Sequence, residues 1–250
     1  MLAAERHQYI LHQLAKHQSI KVVDIVEAIH CSQATIRRDL DILEQQHQLK
    51  RVHGGAILPT LSQDSLLKER LKHGETGKIQ LAKYVSQHFL NGRQCIFLDA
   101  GSSTHQLIPF LNAKKHHVVT NGAHHLERLV KYNISTTLIG GKLKQRTQAI
   151  VGSMAVQQIQ HYHFDSAILG VNSIDNTFGL STPDSEEAFI KQMAIQQARQ
   201  SIVLAEYAKF DTQSFHQFAT IQQVEIVTVD CPVMYRHFNQ VHCLNKWHTK

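Results

Sequence analysis

Five stretches of this 250-residue chain close a run of branched apolar residues with groups suited to anions and hydroxyls. Asp99 ends one run and is followed by Gly101, Ser102, Ser103 and Thr104. Thr120 and Asn121 end the next, and Gly140, Gly141 and Lys142 the third. Asn172 and Asp175 follow the fourth and Lys209 the fifth, while Glu187 and Lys191 stand four apart. Small residues let backbone N–H groups approach an anion, Ser and Thr add hydroxyls, and a helix start adds positive potential. A phosphate needs such donors and a lysine, and a polyol needs carboxylates and amides. The set fits a sugar phosphate. Singly each has a plainer reading: GSST as a helix cap, Glu187 with Lys191 as an i,i+4 surface pair. If the chain were instead a sugar-phosphate isomerase, Asp99, Asp175 and Glu187 would be its candidate bases. There is no GxGxxG after the first strand and no GxxxxGK[ST], so no nucleotide cofactor is expected. The pairs His116-His117, His124-His125 and His161-x-His163 lack metal-ligand spacing, and no metal is expected.

A second set of groups lies near the start. Gln33, Thr35, Arg37 and Arg38 fall on the side of a helical pattern opposite Ile36, Leu40 and Leu43. Arg grips guanine at two atoms and Gln can do so with adenine. Ser32 precedes them as the expected N-cap and joins them as a candidate DNA contact. Lys50, Arg51 and His53 follow as candidate phosphate contacts. Residues 1 to 58 carry 7 basic against 6 acidic side chains, so binding must rest on where these groups point. The same spacing also suits a protein-binding cap.

The elements that position these groups follow from periodicity. Apolar residues at helical spacing predict helices over 3–17, 21–29 and 33–46, with a break at His30-Cys31-Ser32. Residues 49–55 predict a short hairpin turning at Gly54-Gly55. The reading is a winged helix-turn-helix domain over 1–58, whose third helix would enter a major groove by its N-terminal part. Residues 59–76 read as a connector with a short, solvated helix that includes Arg70. Helices at 76–89, 103–111, 123–131, 152–160 and 184–199 alternate with strands at 94–99, 117–121, 135–141, 164–171, 201–207 and a last one at 224–230. That alternation predicts an α/β domain over 77–250, a mostly parallel sheet covered on both faces. Such sheets bind ligands beyond the carboxyl ends of their strands.

Composition agrees with two globular units. The formal charge of +6 mildly favours a nucleic-acid partner, and four cysteines without a CxxC pair suit a reduced, cytoplasmic protein. No apolar run of about 18 residues is present, so no membrane span is expected. The opening MLAAERHQYILHQL lacks the apolar core of a signal peptide.

The chain resembles the DeoR family of bacterial sugar-metabolism repressors over nearly its whole length. The resemblance rests on ATIRRDLDILEQQHQLKRVHGGAIL at 34–58, FLDAGSST at 97–104, VVTNG at 118–122 and LIGGKL at 138–143. It continues through VGSMA at 151–155, FDSAILGVNSID at 164–175, GLSTPDSEEAFIK at 179–191 and IVLAEYAKF at 202–210. It implies a winged helix-turn-helix joined to a domain similar to ribose-phosphate isomerases, which senses phosphorylated intermediates and usually does no chemistry. It implies homodimers or homotetramers that repress catabolic operons and leave a double-stranded DNA operator when the effector binds. The family's effector residues map onto Asp99, Gly101 to Thr104, Thr120, Asn121, Asp175, Glu187, Lys191 and Lys209. Two departures stand out: Glu206-Tyr207-Ala208 before Lys209, where the family has Asp-Ser-Ser or Asp-His-Ser, and Ser173 in place of the usual Gly. Glu206 keeps the acid with one more methylene. The GVNSID and TPDSEEA stretches resemble the branch that responds to ketohexose phosphates such as fructose 1-phosphate.

Overall fold

A computed structural model describes residues 3–17, 19–46, 48–52, 54–57 and 67–245. His53 lies outside the described residues, as does residue range 58–66. The chain divides into two compact units, Met1–Gln63 and Asp64–Lys250.

The first unit runs α1 (Ala3–His17), β1 (Ser19–Lys21), α2 (Val22–Ile29), α3 (Gln33–Gln45), β2 (Lys50–Val52) and β3 (Gly55–Ile57). Ile10 and Leu14 of α1, Val22 and Ile25 of α2, and Ile36, Leu40 and Leu43 of α3 form its core, closed by Leu49 and Ala56. His30 ends α2 in the left-handed region at φ 52°, and Ser32 starts α3 by accepting the Thr35 N–H at 3.1 Å. The hairpin gains a third strand that the sequence did not signal: β3 pairs antiparallel with both β2 and β1. Residues 19–21 are too few to show alternation. Gly54 turns at φ +83°, and a Cβ on Gly55 would sit 2.0 Å from the Ile20 carbonyl oxygen. Both glycines are therefore needed, one for the turn and one for strand approach.

The second unit adds α4 (Leu67–Lys72), α5 (Glu75–His88), β4 (Gln94–Leu98), α6 (Ser102–His105), β5 (His116–Thr120), α7 (Leu126–Lys131) and β6 (Ser135–Leu138). The hairpin β7 (Lys142–Leu143) and β8 (Ile150–Val151) leads to α8 (Ser153–Gln160) and β9 (Phe164–Gly170). Then come β10 (Ser173–Asp175), β11 (Gly179–Thr182), α9 (Ser185–Gln196), β12 (Ala198–Ala205), β13 (His216–Ala219), β14 (Glu225–Thr228) and β15 (Val241–Cys243).

Seven strands form one sheet in the order β15-β14-β12-β9-β4-β5-β6, every pairing parallel. Side chains alternate between two cores. Phe97, Val119, Ala167, Leu169, Val203 and Ile226 face one, against Ala155 and Ile159 of α8 and Ala188, Ile190 and Ala194 of α9. Ile96, Leu98, Val118, Ile168, Ile202 and Val227 face the other, against Leu81, Ala82 and Val85 of α5 and Leu129 of α7. Burial on both faces is why these strands read as continuous apolar runs.

Several bounds differ from the periodicity. The helix expected over 103–111 stops at His105 and resumes as a 3-10 turn, Ile108–Phe110, because Pro109 cannot continue an α-helix. The helix expected over 184–199 stops at Gln196, and β12 begins at Ala198 because residues 198–200 already pair with β9. The strand at 225–228 is not the last, since β15 extends the sheet beyond it. A small antiparallel sheet, β10-β11-β13, and the β7-β8 hairpin had no signal in strands of two to four residues.

Candidate functional site

Strands β4, β5 and β6 build the sheet to one side, and β9, β12, β14 and β15 build it to the other. The order therefore reverses between β4 and β9, and the space beyond their carboxyl ends, the crevice of such sheets, is the usual place for a ligand. Asp99 and the Gly101–Thr104 loop follow β4, and Gly170 ends β9. Asp99 Oδ2 accepts the Gly170 N–H at 3.0 Å and ties the two strand ends together. Lys191 reaches in from α9, donating to Asp99 Oδ2 and, at 3.0 Å, to the Gly170 carbonyl. Both side chains are about 95% buried, with 5% and 6% exposed. Lys191 is thus the ion-pair partner of Asp99, not of Glu187 four residues before it.

The neighbouring polar groups divide by what engages them. Thr104 Oγ1 donates to the Asp99 carbonyl at 2.6 Å and accepts the Gly101 N–H at 3.0 Å, so it shapes the loop. Asn121 Oδ1 accepts the Ala100 N–H at 2.9 Å and its Nδ2 donates to the Ile150 carbonyl at 3.3 Å. Thr120 Oγ1 donates to the Leu98 carbonyl at 2.6 Å. These three are braces of the crevice. The Ser102 and Ser103 hydroxyls have no hydrogen bond among the described residues, and the first-turn N–H groups beside them are those a helix leaves unpaired.

The other sequence-selected residues are held elsewhere. Gly141, at φ +151°, and Lys142 sit on the β7-β8 hairpin, which is strapped to the start of α9. Lys142 pairs with Glu186 at 3.1 Å, Lys144 with Asp184 at 2.7 Å and with Glu187 at 3.1 Å, and Thr147 Oγ1 donates to Glu187 at 2.8 Å. Burial would raise the Asp184 carboxyl, but the Lys144 contact and the Glu187 N–H outweigh it and hold it low. Burial would lower the Lys144 ammonium, and its two carboxylates hold it high. Asn172 Oδ1 accepts from Thr182 at 3.0 Å. Asp175 Oδ1 accepts the Thr177 and Phe178 N–H groups at 2.9 and 2.7 Å, closing the β10–β11 turn. Lys209 ends a 3-10 turn, Tyr207–Lys209, with its N–H on the Glu206 carbonyl at 2.9 Å.

Periodicity missed three groups beside this crevice. Arg70, expected in a solvated stretch, lies on α4, which packs against α6, and its Nε and Nη2 are buried without a partner among the described residues. Lys78 is 2% exposed, donates to the Arg70 and His73 carbonyls and lies 3.5 Å from Glu206 Oε1. Burial pushes its ammonium down, with Glu206 opposing. The extra methylene of Glu206 brings its Oε2 close enough to Gly74 that a Cβ there would lie 2.3 Å away. Third, His105, His124 and His125 converge, which adjacent histidines in sequence did not reveal. Burial drives His105 and His124 down to about 4, aided by Arg128 and by His105 respectively, and drives His125 well below its ordinary value.

In the first unit, Gln33, Arg37 and Arg38 stand exposed on the opening turns of α3, and neither guanidinium has a partner among the described residues. Ser32 and Thr35 share a hydroxyl contact of 2.9 Å within the cap. Arg51 is folded back: its N–H donates to Glu44 at 2.7 Å and its Nη1 to Asp41. Lys50 opens β2. Asp39 anchors α3 to α1 through Arg6 Nε at 2.7 Å and His7 Nε2 at 3.1 Å.

Residues 6–61 match the DeoR-like helix-turn-helix domain, and residues 74–231 match the DeoR C terminal sensor domain. The chain belongs to the DeoR family of transcriptional regulators. FruR of Bacillus subtilis (strain 168), an uncharacterized HTH-type transcriptional regulator, is 40% identical over 232 residues, 92% of either chain. The HTH-type transcriptional repressor GlcR of the same organism is 33% identical over 245 residues, 97% of this chain and 92% of the relative. Ribose 5-phosphate isomerase A of Methanocaldococcus jannaschii aligns with 54% of either chain at 15% identity and a TM-score of 0.40. Among the described residues no helix of this DeoR-family chain is long and apolar enough to cross a membrane.

Proposed function

We propose that this DeoR-family regulator represses a sugar catabolic operon and leaves its operator when a phosphorylated sugar binds the larger unit. Residues 1–58 are assigned to DNA and 77–250 to the effector, with 59–76 the connection between them, from which Arg70 also contributes to the effector site. The observation that carries the reading is the set of polar groups gathered where strand order reverses, between β4 and β9. The Ser102 and Ser103 hydroxyls and the adjoining N–H groups are assigned to the phosphate. The Arg70 fork, buried and unpartnered through Nε and Nη2, joins them as the cationic group. Asp99, Lys191, Thr120, Asn121 and Thr104 hold the crevice in shape. Glu206, Lys209, Asn172, Asp175, Gly141, Lys142 and Glu187 are assigned to its rim. A ketohexose phosphate such as fructose 1-phosphate is the proposed effector, and the working form is a homodimer or homotetramer.

On DNA, Arg37, Arg38, Gln33 and Thr35 would read or grip the duplex, with Ser32, Lys50, Arg51 and His53 beside the backbone. Two exposed arginines on the opening turns of α3 support this. An isomerase reading is disfavoured by the state of its candidate bases. Asp99 is held by Lys191, Asp175 by a turn, and Glu187 by Lys144 and Thr147.

The test is a thermal-shift screen against fructose 1-phosphate, fructose 6-phosphate, ribose 5-phosphate, glycerol 3-phosphate and the free sugars, followed by gel shifts with any hit. A ligand that binds only the folded state raises the melting temperature. One phosphorylated hit, its free sugar silent, that also releases DNA supports the reading. Millimolar ligands that all leave the melting temperature unchanged would remove the phosphate assignment.

A further inference from the structure

We infer that His105, His124 and His125 form a binding site for one divalent transition-metal ion, Zn2+ by the chemistry of its donors. The inference goes beyond the sugar-phosphate reading and stands if that reading fails. His105 closes α6, and His124 and His125 lie in the 3-10 turn Ala123–His125 that follows β5. One ligand nitrogen from each ring lies within 4.8 Å of the other two. Ring centroids are 5.4 Å apart for His105 with either partner and 4.2 Å apart for His124 with His125.

The second observation is what those nitrogens lack. His105 Nδ1 and both nitrogens of His124 are buried with no hydrogen-bond partner among the described residues. Buried polar groups are nearly always paired, and an orphaned cluster of them points to a missing ligand.

The tautomer of His125 follows from its neighbours. Thr120 Oγ1 gives its proton to the Leu98 carbonyl at 2.6 Å and accepts the Gly122 N–H at 3.0 Å. The 3.1 Å contact from His125 Nδ1 is then a donated N–H, and Nε2, whose contact with the Gly101 carbonyl is a long 3.5 Å, keeps its lone pair. An imidazole fixed through its other nitrogen is the usual preparation of a metal ligand. Gly122 is part of that seat, since a Cβ there would lie 2.8 Å from His125 Nδ1.

Three neutral nitrogens and no carboxylate select Zn2+, Ni2+, Co2+ or Cu2+ over Mg2+ or Ca2+. A tetrahedral ion with Zn–N of about 2.0–2.1 Å needs nitrogens about 3.4 Å apart, so the three rings must draw together from spacings of up to 4.8 Å. Arg70 and Arg128 place positive charge near the cluster, which opposes a bound cation, so an anionic oxygen in the fourth position would offset it.

The experiment uses the full chain without an affinity tag, stripped with chelator and titrated with Co2+, then with Zn2+. One equivalent of Co2+ should produce the visible absorption of a tetrahedral site, and Zn2+ should displace it. His124→Gln should lose the absorption, Thr120→Val should weaken binding by about 10–100-fold, and His161→Gln, an exposed position, should change nothing. X-ray absorption on the wild-type Zn2+ form should count three imidazoles, a readout independent of how the variants fold. Absence of saturable one-to-one binding, fewer than three imidazoles, or equal binding by folded His124→Gln overturns the inference.

Discussion

At the scale of single residues, the Asp99–Lys191 pair decides how the crevice behaves. Two charges about 95% buried are stable only because each faces the other and the Gly170 backbone. Removing one leaves the other uncompensated, which costs about 3–5 kcal/mol, whereas removing both costs far less. Lys191→Met should therefore lower the urea stability of the larger unit by about that amount, and Asp99→Asn added to it should restore much of the loss. A single-variant loss below about 1 kcal/mol would mean that the pair is solvated. Arg70→Ala should do the opposite: abolish the melting-temperature rise with effector while leaving the free protein at least as stable, since an unpartnered buried fork is removed. If the rise survives in Arg70→Ala, the phosphate lies elsewhere. The sequence made Asp99 and Ser102 legible as types at a strand end and a helix start, and Lys191 as a type on the long helix. It could not show that Lys191 reaches Asp99, 92 positions away, because pairing across a sheet is set by strand order and not by local spacing.

At the scale of elements, the hairpin β7-β8 is held to α9 by charge. Three acids at the start of α9, Asp184, Glu186 and Glu187, meet Lys142, Lys144 and Thr147. Asp184 titrates below its ordinary 3.8, so its contribution is complete above that value and is lost as pH falls through the lowered one. Lys144 titrates above its ordinary 10.5, so its contribution is complete below that value and is lost as pH rises through the raised one. The strap should hold unchanged between about pH 5 and 9. Lys144→Met should release it, seen as faster amide exchange over residues 142–151 with the sheet strands unaffected. Exchange as slow as in the wild type would show that β7-β8 is held by its backbone alone. The seven-stranded sheet was mostly legible because apolar burial on both faces leaves long branched runs. The strap was not, since a two-residue strand has no period, and neither were β10, β11 and β13, whose pairing depends on neighbours distant in sequence.

At the scale of the whole molecule, the distribution of charge limits how DNA is bound. The first 58 residues hold 7 basic against 6 acidic side chains, so their net field gives little long-range attraction. Several of those charges are already engaged, Arg6 with Asp39 and Arg51 with Asp41. Arg37 and Arg38 remain exposed on α3, so affinity should depend on them strongly. If one grips a guanine edge, its change to Ala should cost about 1–3 kcal/mol and relax preference at one operator position. If the other holds a phosphate, its loss should weaken all sequences alike and reduce the salt slope by about one. Titrating both single variants on operator and on scrambled duplex, at several salt concentrations, separates these roles. The effector-induced melting shift should be the same in both variants as in the wild type, because the residues assigned to the effector lie in the other compact unit. Wild-type affinity and salt slope in both variants would mean that α3 does not enter the groove, and the exposed arginines would then have to face a protein partner.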